Sequence, residues 1–225
     1  MAKRTKLKNR ILPTYTKGEE IFNMVSHIVG GSIGVLTLIA CILISALKHN
    51  VIGIITSTVF GVSMIALYSI SSIYHGLHEG TAKKVLQVLD HCTIYFLIAG
   101  TYTPILLCSL IRVSPVSAWI TFGVVWGLTA FATTLTAIDL KKFKLISMLC
   151  YIGIGWSIIF SISKVYTSLG KTGFFFLLSG GILYTIGANF YNVGKNIKYF
   201  HSVFHLFVLA GSILHAVCVI FYVLL

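Results

Sequence analysis

Residues Val51–Tyr74 read VIGIITSTVFGVSMIALYSISSIY, twenty-four positions without a charged side chain. As a helix rising 1.5 Å per residue the run is about 36 Å long, enough to cross the roughly 30 Å hydrocarbon layer of a bilayer. The rest of the chain is built alike. Of its 225 residues 57% are hydrophobic and only 10% charged, where soluble domains run near a quarter charged. So little charge cannot cover so much apolar matter in water. The composition excludes a soluble enzyme, a secreted disulfide scaffold and a disordered tail. The 17 Lys and Arg against 5 Asp and Glu, net +12, would suit nucleic acid if the cations shared a polar face. They punctuate apolar runs instead, which is the pattern of a membrane protein, and no nucleic-acid partner is expected.

Outward from that run, seven segments qualify as spans: 21–47, 51–74, 85–110, 116–137, 145–163, 173–191 and 200–224. The expected fold is an all-α membrane protein with seven transmembrane helices. A basic N-terminal segment, 1–20, precedes a transmembrane domain, 21–225. The apolar run from Ile21 is too long for the core of a cleaved signal peptide. Thirteen cations fall on one side, within residues 1–17 and at Lys83, Lys84, Lys141, Lys142, Lys144, Lys195 and Lys198; four fall on the other, Lys48, Arg112, Lys164 and Lys171. Positive charge stays inside, so the N-terminus is expected in the cytoplasm and the C-terminus outside, in the cell (inner, cytoplasmic) membrane. That orientation is opposite to the G-protein-coupled receptors. The five cysteines lie inside apolar runs and read as small buried hydrophobes, neither bridges nor ligands. Gly30 with Gly34 and Gly123 with Gly127 repeat at helical spacing and let backbones approach. Packing within the chain is the first reading of these faces, and a homo-oligomer contact the second.

Ionisable groups inside spans are costly and by default mark function. Here they gather at one depth. Counted from the flanking charged residues at 1.5 Å per residue, His75 lies about 6 Å in, Asp90 about 9 Å, His27 and His205 about 10 Å, and Ser71 about 12 Å. Ser71 and His75, like His201 and His205, are spaced i and i+4 on one helical face. Three imidazoles with a carboxylate or water suit Zn2+, which takes neutral His nitrogen and keeps a fourth position open for catalysis. His75, His201 and His205 are the expected ligands. The competing reading is a set of histidines bonded to one another and to backbone carbonyls. Asp90 has its own alternative, a pair with Lys83 or Lys84. His27 and His91 are read as supports around the ligands. His215, about 15 Å deeper than His205, is read as an interhelical hydrogen-bonder, His49 and His78 as solvated, and Asp139 as a surface loop residue.

These residues carry a resemblance. Glu20-Ile-Phe-Asn23-Met-Val-Ser26-His27 resembles the E-x-x-N-x-x-[ST]-H motif of the progestin and adipoQ receptor superfamily, which includes the adiponectin receptors. Ser71-x-x-x-His75, Leu89-Asp90-His91 with Ile98-Ala-Gly-Thr-Tyr-Thr-Pro104, and His201-x-x-x-His205 followed by Phe207-Val-Leu-Ala-Gly211 resemble its bacterial branch, the hemolysin III proteins. The matches run in order from residue 20 to about 215. The resemblance implies seven helices with the N-terminus inside. It also implies a zinc on His75, His201 and His205, with Asp90 holding the water that completes the set and Ser71 close by. Glu20, Asn23 and Ser26 join His27 and His91 around it. Alkaline ceramidases in the wider superfamily make hydrolysis an implied activity. The large cytoplasmic domain of the animal receptors has no counterpart here, which weakens any carry-over of hormone reception.

Three functions follow as expectations. The first is a zinc-dependent hydrolase of a membrane lipid amide or ester, Asp90 moving the proton and Ser71 donating to the developing oxyanion. The second is a membrane sensor or regulator in which zinc is structural. The third, a pore-forming cytolysin, is disfavoured because the outer halves of the spans are almost wholly apolar.

Overall fold

The computed structural model describes residues 5–193 and 197–225, with the side chains of all of these except Lys8, Asn192 and Val193. Lys3, Arg4 and Lys195 of the charge tally lie outside the described residues. Among those described the chain is helical and has no strand. After a 3-10 turn, Leu7–Asn9, come α1 (Lys17–Leu47), α2 (Val51–Gly76) and α3 (Thr81–Pro104), the last continuing through a π-helical turn, Ile105–Leu110, to Val113. Then follow α4 (Pro115–Ile138), α5 (Lys144–Gly155), a 3-10 turn Ser157–Ser161, α6 (Ile162–Val193) and α7 (Phe200–Cys218), which continues as a π-helical turn to Leu224.

Helix starts follow local chemistry. Thr16 caps α1 in a reciprocal box: its hydroxyl accepts from the Glu19 N–H at 3.3 Å, while the Glu19 carboxylate accepts from the Thr16 N–H at 2.8 Å. The helix thus begins at Lys17, four residues before the expected first span. Asn50 caps α2 by accepting from the Gly53 N–H at 2.8 Å, and Pro115 occupies the first turn of α4, where its missing N–H costs nothing.

Among the described residues six helical stretches are long and apolar enough to cross a membrane. They match the expected spans except in one place: the fifth and sixth fall within a single stretch, Lys144–Tyr191, of 48 residues. That stretch is not one straight rod. Gly170 breaks it with φ 68°, ψ 174°, a left-handed conformation that glycine adopts without strain.

The helices pack as a ring. α1 lies along α2, α2 on α3, α3 on α4 and α5, and α6 along α7; α7 then meets α1 and closes the bundle. The closeness of α1 to α2 rests on two of the repeated glycines. A Cβ on Gly30 would stand 2.4 Å from the Tyr68 ring, and one on Gly34 3.3 Å from the Ile65 backbone nitrogen. Gly123 and Gly127 have nothing within 4 Å of such a Cβ, so the small face of α4 is open. All five cysteines are free, and four of them are buried.

Candidate metal centre

α1 sets the register of α7 through one face. At position 19 the Glu19 carboxylate accepts the Tyr199 N–H at 2.6 Å. One turn on, Asn23 accepts from the Ser202 hydroxyl at 2.7 Å. A further turn on, the His27 ring stacks on His205, centroids 3.7 Å apart and planes at 15°. The spacing i, i+4, i+8 keeps the three on one side of the helix. Ser26 bonds back to the Asn23 carbonyl at 3.0 Å.

That register brings His201 and His205 against His75 of α2. One ligand nitrogen from each of the three lies within 4.8 Å of the others. The Nε2 atoms of His201 and His205 are 3.1 Å apart; two ring nitrogens that close need a proton or a cation between them. The His75 Nδ1 lies 2.6 Å from Glu20, whose other oxygen accepts from Lys83 at 2.6 Å. With Nδ1–H given to the carboxylate, the His75 Nε2 carries a lone pair. That atom is buried without a partner among the described residues, and an orphaned acceptor of this kind is unusual unless something binds it. Three convergent nitrogens, one held by a carboxylate, are a donor set that fits zinc.

Asp90 on α3 is hydrogen-bonded to Ser71 on α2 and interacts electrostatically with His75 and His91. Ser71, having one proton to give, is engaged with that carboxylate. Lys83, one of the cations considered for Asp90, pairs with Glu20 instead. His91 is turned aside: Nδ1 bonds the Gln87 carbonyl at 2.8 Å and Nε2 the Tyr191 hydroxyl at 3.1 Å. His27 has neither ring nitrogen paired among the described residues and touches the centre through its face.

A cavity of about 700 Å3 opens beside the triad. Ser71, Asp90, His201 and His205 form its polar wall, and it continues past Trp156, Phe174 and Leu177 to His215. His215 Nε2 donates to the Leu177 carbonyl at 3.1 Å, the interhelical bond expected of it, though it also lines this cavity. Thr5, residues 9–15 and Asp139 line it as well. Asp139 departs from expectation: it is 1% exposed, because its carboxylate accepts the backbone N–H groups of Thr5, Lys141 and Lys142 at 2.7, 3.1 and 3.1 Å. Burial pushes this carboxyl up, but those hydrogen bonds outweigh it and hold it down at about 2. His49 and His78 are exposed, as expected.

Tyr15 escaped the sequence reading. It lies in the N-terminal segment, outside any span, yet its ring stacks on His201 at 4.9 Å and 21°. An aromatic one residue before a Thr-x-x-Glu capping box is the signal that was available. Lys83 was read as a loop cation or a partner of Asp90, and its bond to Glu20 depends on how α1 meets α3.

Residues 15–216 match the model of the family described as haemolysin-III related. The chain is 41% identical over 207 residues to hemolysin-3 of Bacillus cereus, covering 92% of each chain. It is 36% identical over 211 residues to a hemolysin-3 homolog of Bacillus subtilis, covering 92% of this chain and 96% of that one. A more distant similarity, 28% over 167 residues, joins 72% of the chain to 67% of the human monocyte to macrophage differentiation factor.

Proposed function

Because this chain belongs to the haemolysin-III-related family and is a multi-pass membrane protein, we propose that it is a zinc-dependent hydrolase of an amide or ester bond in a membrane lipid. One observation carries the reading. Two of the three clustered imidazoles, His201 and His205, and the Ser71–Asp90 pair line one cavity, most of whose wall is apolar side chains. That is a polar reaction end joined to space for an acyl chain.

His75, His201 and His205 would hold the ion, with Glu20 fixing the His75 ring. When bound, zinc supplies a Lewis acid that polarises a carbonyl and acidifies a water. The chain's own groups do the rest. Asp90 accepts the proton released by the attacking water and returns it to the leaving nitrogen or oxygen. Ser71 orients Asp90 through their hydrogen bond. The apolar stretch from Trp156 to Leu177 excludes water and holds the hydrocarbon tail.

The topology of this reading has seven spans with the N-terminus in the cytoplasm of a cell whose inner membrane holds the protein. A 48-residue helix would run about 72 Å, more than twice the hydrocarbon thickness. The break at Gly170 supports two crossings, 145–163 and 173–191. An odd number of crossings sets the termini on opposite sides, and the side with thirteen cations is the cytoplasmic one.

The test is turnover. Purified full-length protein with zinc in phospholipid vesicles, given N-acyl and ester lipids, releases fatty acid, and Asp90→Ala abolishes release while zinc remains bound. Unchanged release from Asp90→Ala overturns the mechanism. Stoichiometric zinc with no release leaves the triad as a structural tie between α2 and α7.

A further inference from the structure

Each imidazole of the triad has a holder. Glu20 fixes His75 by a hydrogen bond, and His27 covers the face of His205. On His201 the ring lying face to face is Tyr15, at 4.9 Å and 21°. Tyr191 and Phe204 meet the same imidazole at 55° and 38°. Tyr15 also reaches His75, with centroids 5.7 Å apart. It is therefore packed against two of the three candidate ligands, although it precedes the first helix.

The segment that carries it is tied down at both ends. At one end the Thr16–Glu19 box fixes the entry to α1, and Glu19 also binds the Tyr199 N–H at the head of α7. At the other, the Thr5 N–H donates to Asp139 at 2.7 Å, and Arg10 reaches the Ile138 carbonyl at 3.4 Å. Between the ties, residues 9–15 line the cavity. The centre is thus completed by a short stretch outside the spans, tied to α1 at one end and to the end of α4 at the other.

We infer that residues 5–15 form a strap closing the metal centre, in which Tyr15 is a positioning residue for His201, so that the strap governs how fast the metal exchanges. This rests on the metal reading above. The physical argument is one of restraint. Outer-shell partners orient ligating imidazoles, and an aromatic face does so by stacking while keeping water from the ring. Removing the ring frees His201 to rotate off the metal and opens a route for a competing chelator.

The experiment uses full-length protein in nanodiscs, loaded with Co2+ as the probe and mixed with excess EDTA. Bound cobalt is followed over time by elemental analysis and by its visible absorption. Wild type holds cobalt that His205→Ala does not. Tyr15→Ala releases it about tenfold faster, Tyr15→Phe releases it at the wild-type rate, and Asp139→Ala, which unties the strap at a distance, also accelerates release. The thermal midpoint of the metal-free protein stays the same in Tyr15→Ala. Equal release rates for wild type and Tyr15→Ala overturn the inference and leave the metal reading standing. So does faster release accompanied by a lowered metal-free midpoint, because the change is then in the fold. If Tyr15→Ala does not fold, Tyr15→Leu, which keeps bulk without a stacking face, and Asp139→Ala carry the same comparison. No histidine-dependent cobalt in wild type overturns both.

Discussion

The Nδ1 of His75 and the Oε2 of Glu20 lie 2.6 Å apart, and the second oxygen of the same carboxylate lies 2.6 Å from the ammonium of Lys83. One acid of α1 therefore ties α2 to α3 and fixes which nitrogen of His75 faces the other histidines. Glu20→Gln keeps the shape but loses the charge. Metal affinity is expected to fall about 10- to 100-fold, read by competition with a calibrated chelator. Affinity within twofold of wild type, about the scatter of such a measurement, contradicts the assigned tautomer.

His205 and Asp90 separate binding from chemistry. His205→Ala removes a ligand and is expected to lose the metal and the thermal stabilisation it gives. Asp90→Asn is expected to retain the metal and lose turnover, since the neutral amide cannot take the proton. Zinc content and fatty-acid release measured on the same preparations decide it; equal loss of zinc from both variants would put Asp90 among the ligands.

Gly30 is expected to tolerate no methyl group. Its Cβ would stand 2.4 Å from the ring of Tyr68, and Tyr68 cannot yield, being wholly buried and bonded to Ser212 at 2.7 Å. Gly30→Ala should cost about 1–3 kcal/mol. Gly123→Ala, with open space around it, should leave the midpoint unchanged. Unfolding of both variants in one detergent checks the contrast, and equal midpoints would deny the α1–α2 contact.

The Asp139 tether has a definite pH sign. Its carboxyl titrates at about 2 in the folded chain, below the ordinary aspartate value near 4. The ionised form is thus the one stabilised by folding. Its contribution is fully present above about pH 4 and is lost as the pH falls through about 2. The gap in thermal midpoint between wild type and Asp139→Asn should therefore stay constant from about pH 5 to about pH 8 and shrink below about pH 4. A gap that closes near neutrality would show that another group holds the strap.

Much of the architecture was legible in the chain. Apolar length predicts the spans because the bilayer imposes one dimension on every helix. The i, i+4 spacing of Ser71 with His75 and of His201 with His205 put each pair on one helical face, since helical pitch is fixed and independent of partners. Asp139 shows where that reasoning stops. Beside two lysines it reads as a surface acid, but the chain from residue 5 folds back and donates to it, a contact spanning more than half the sequence.

By itself, then, the sequence determined that the chain lives in a membrane as apolar helices, and that His75, His201, His205 and Asp90 fall where their helices can bring them together, because hydrophobic length and helical pitch are local properties. Only the tertiary structure decided which residues hold them. Glu20 on His75, His27 on His205, Lys83 on Glu20 and Tyr15 on His201 depend on the rotation and register of separate helices and on the path of the N-terminal strap. Those are fixed by packing across the bundle, for which one-dimensional spacing carries no term.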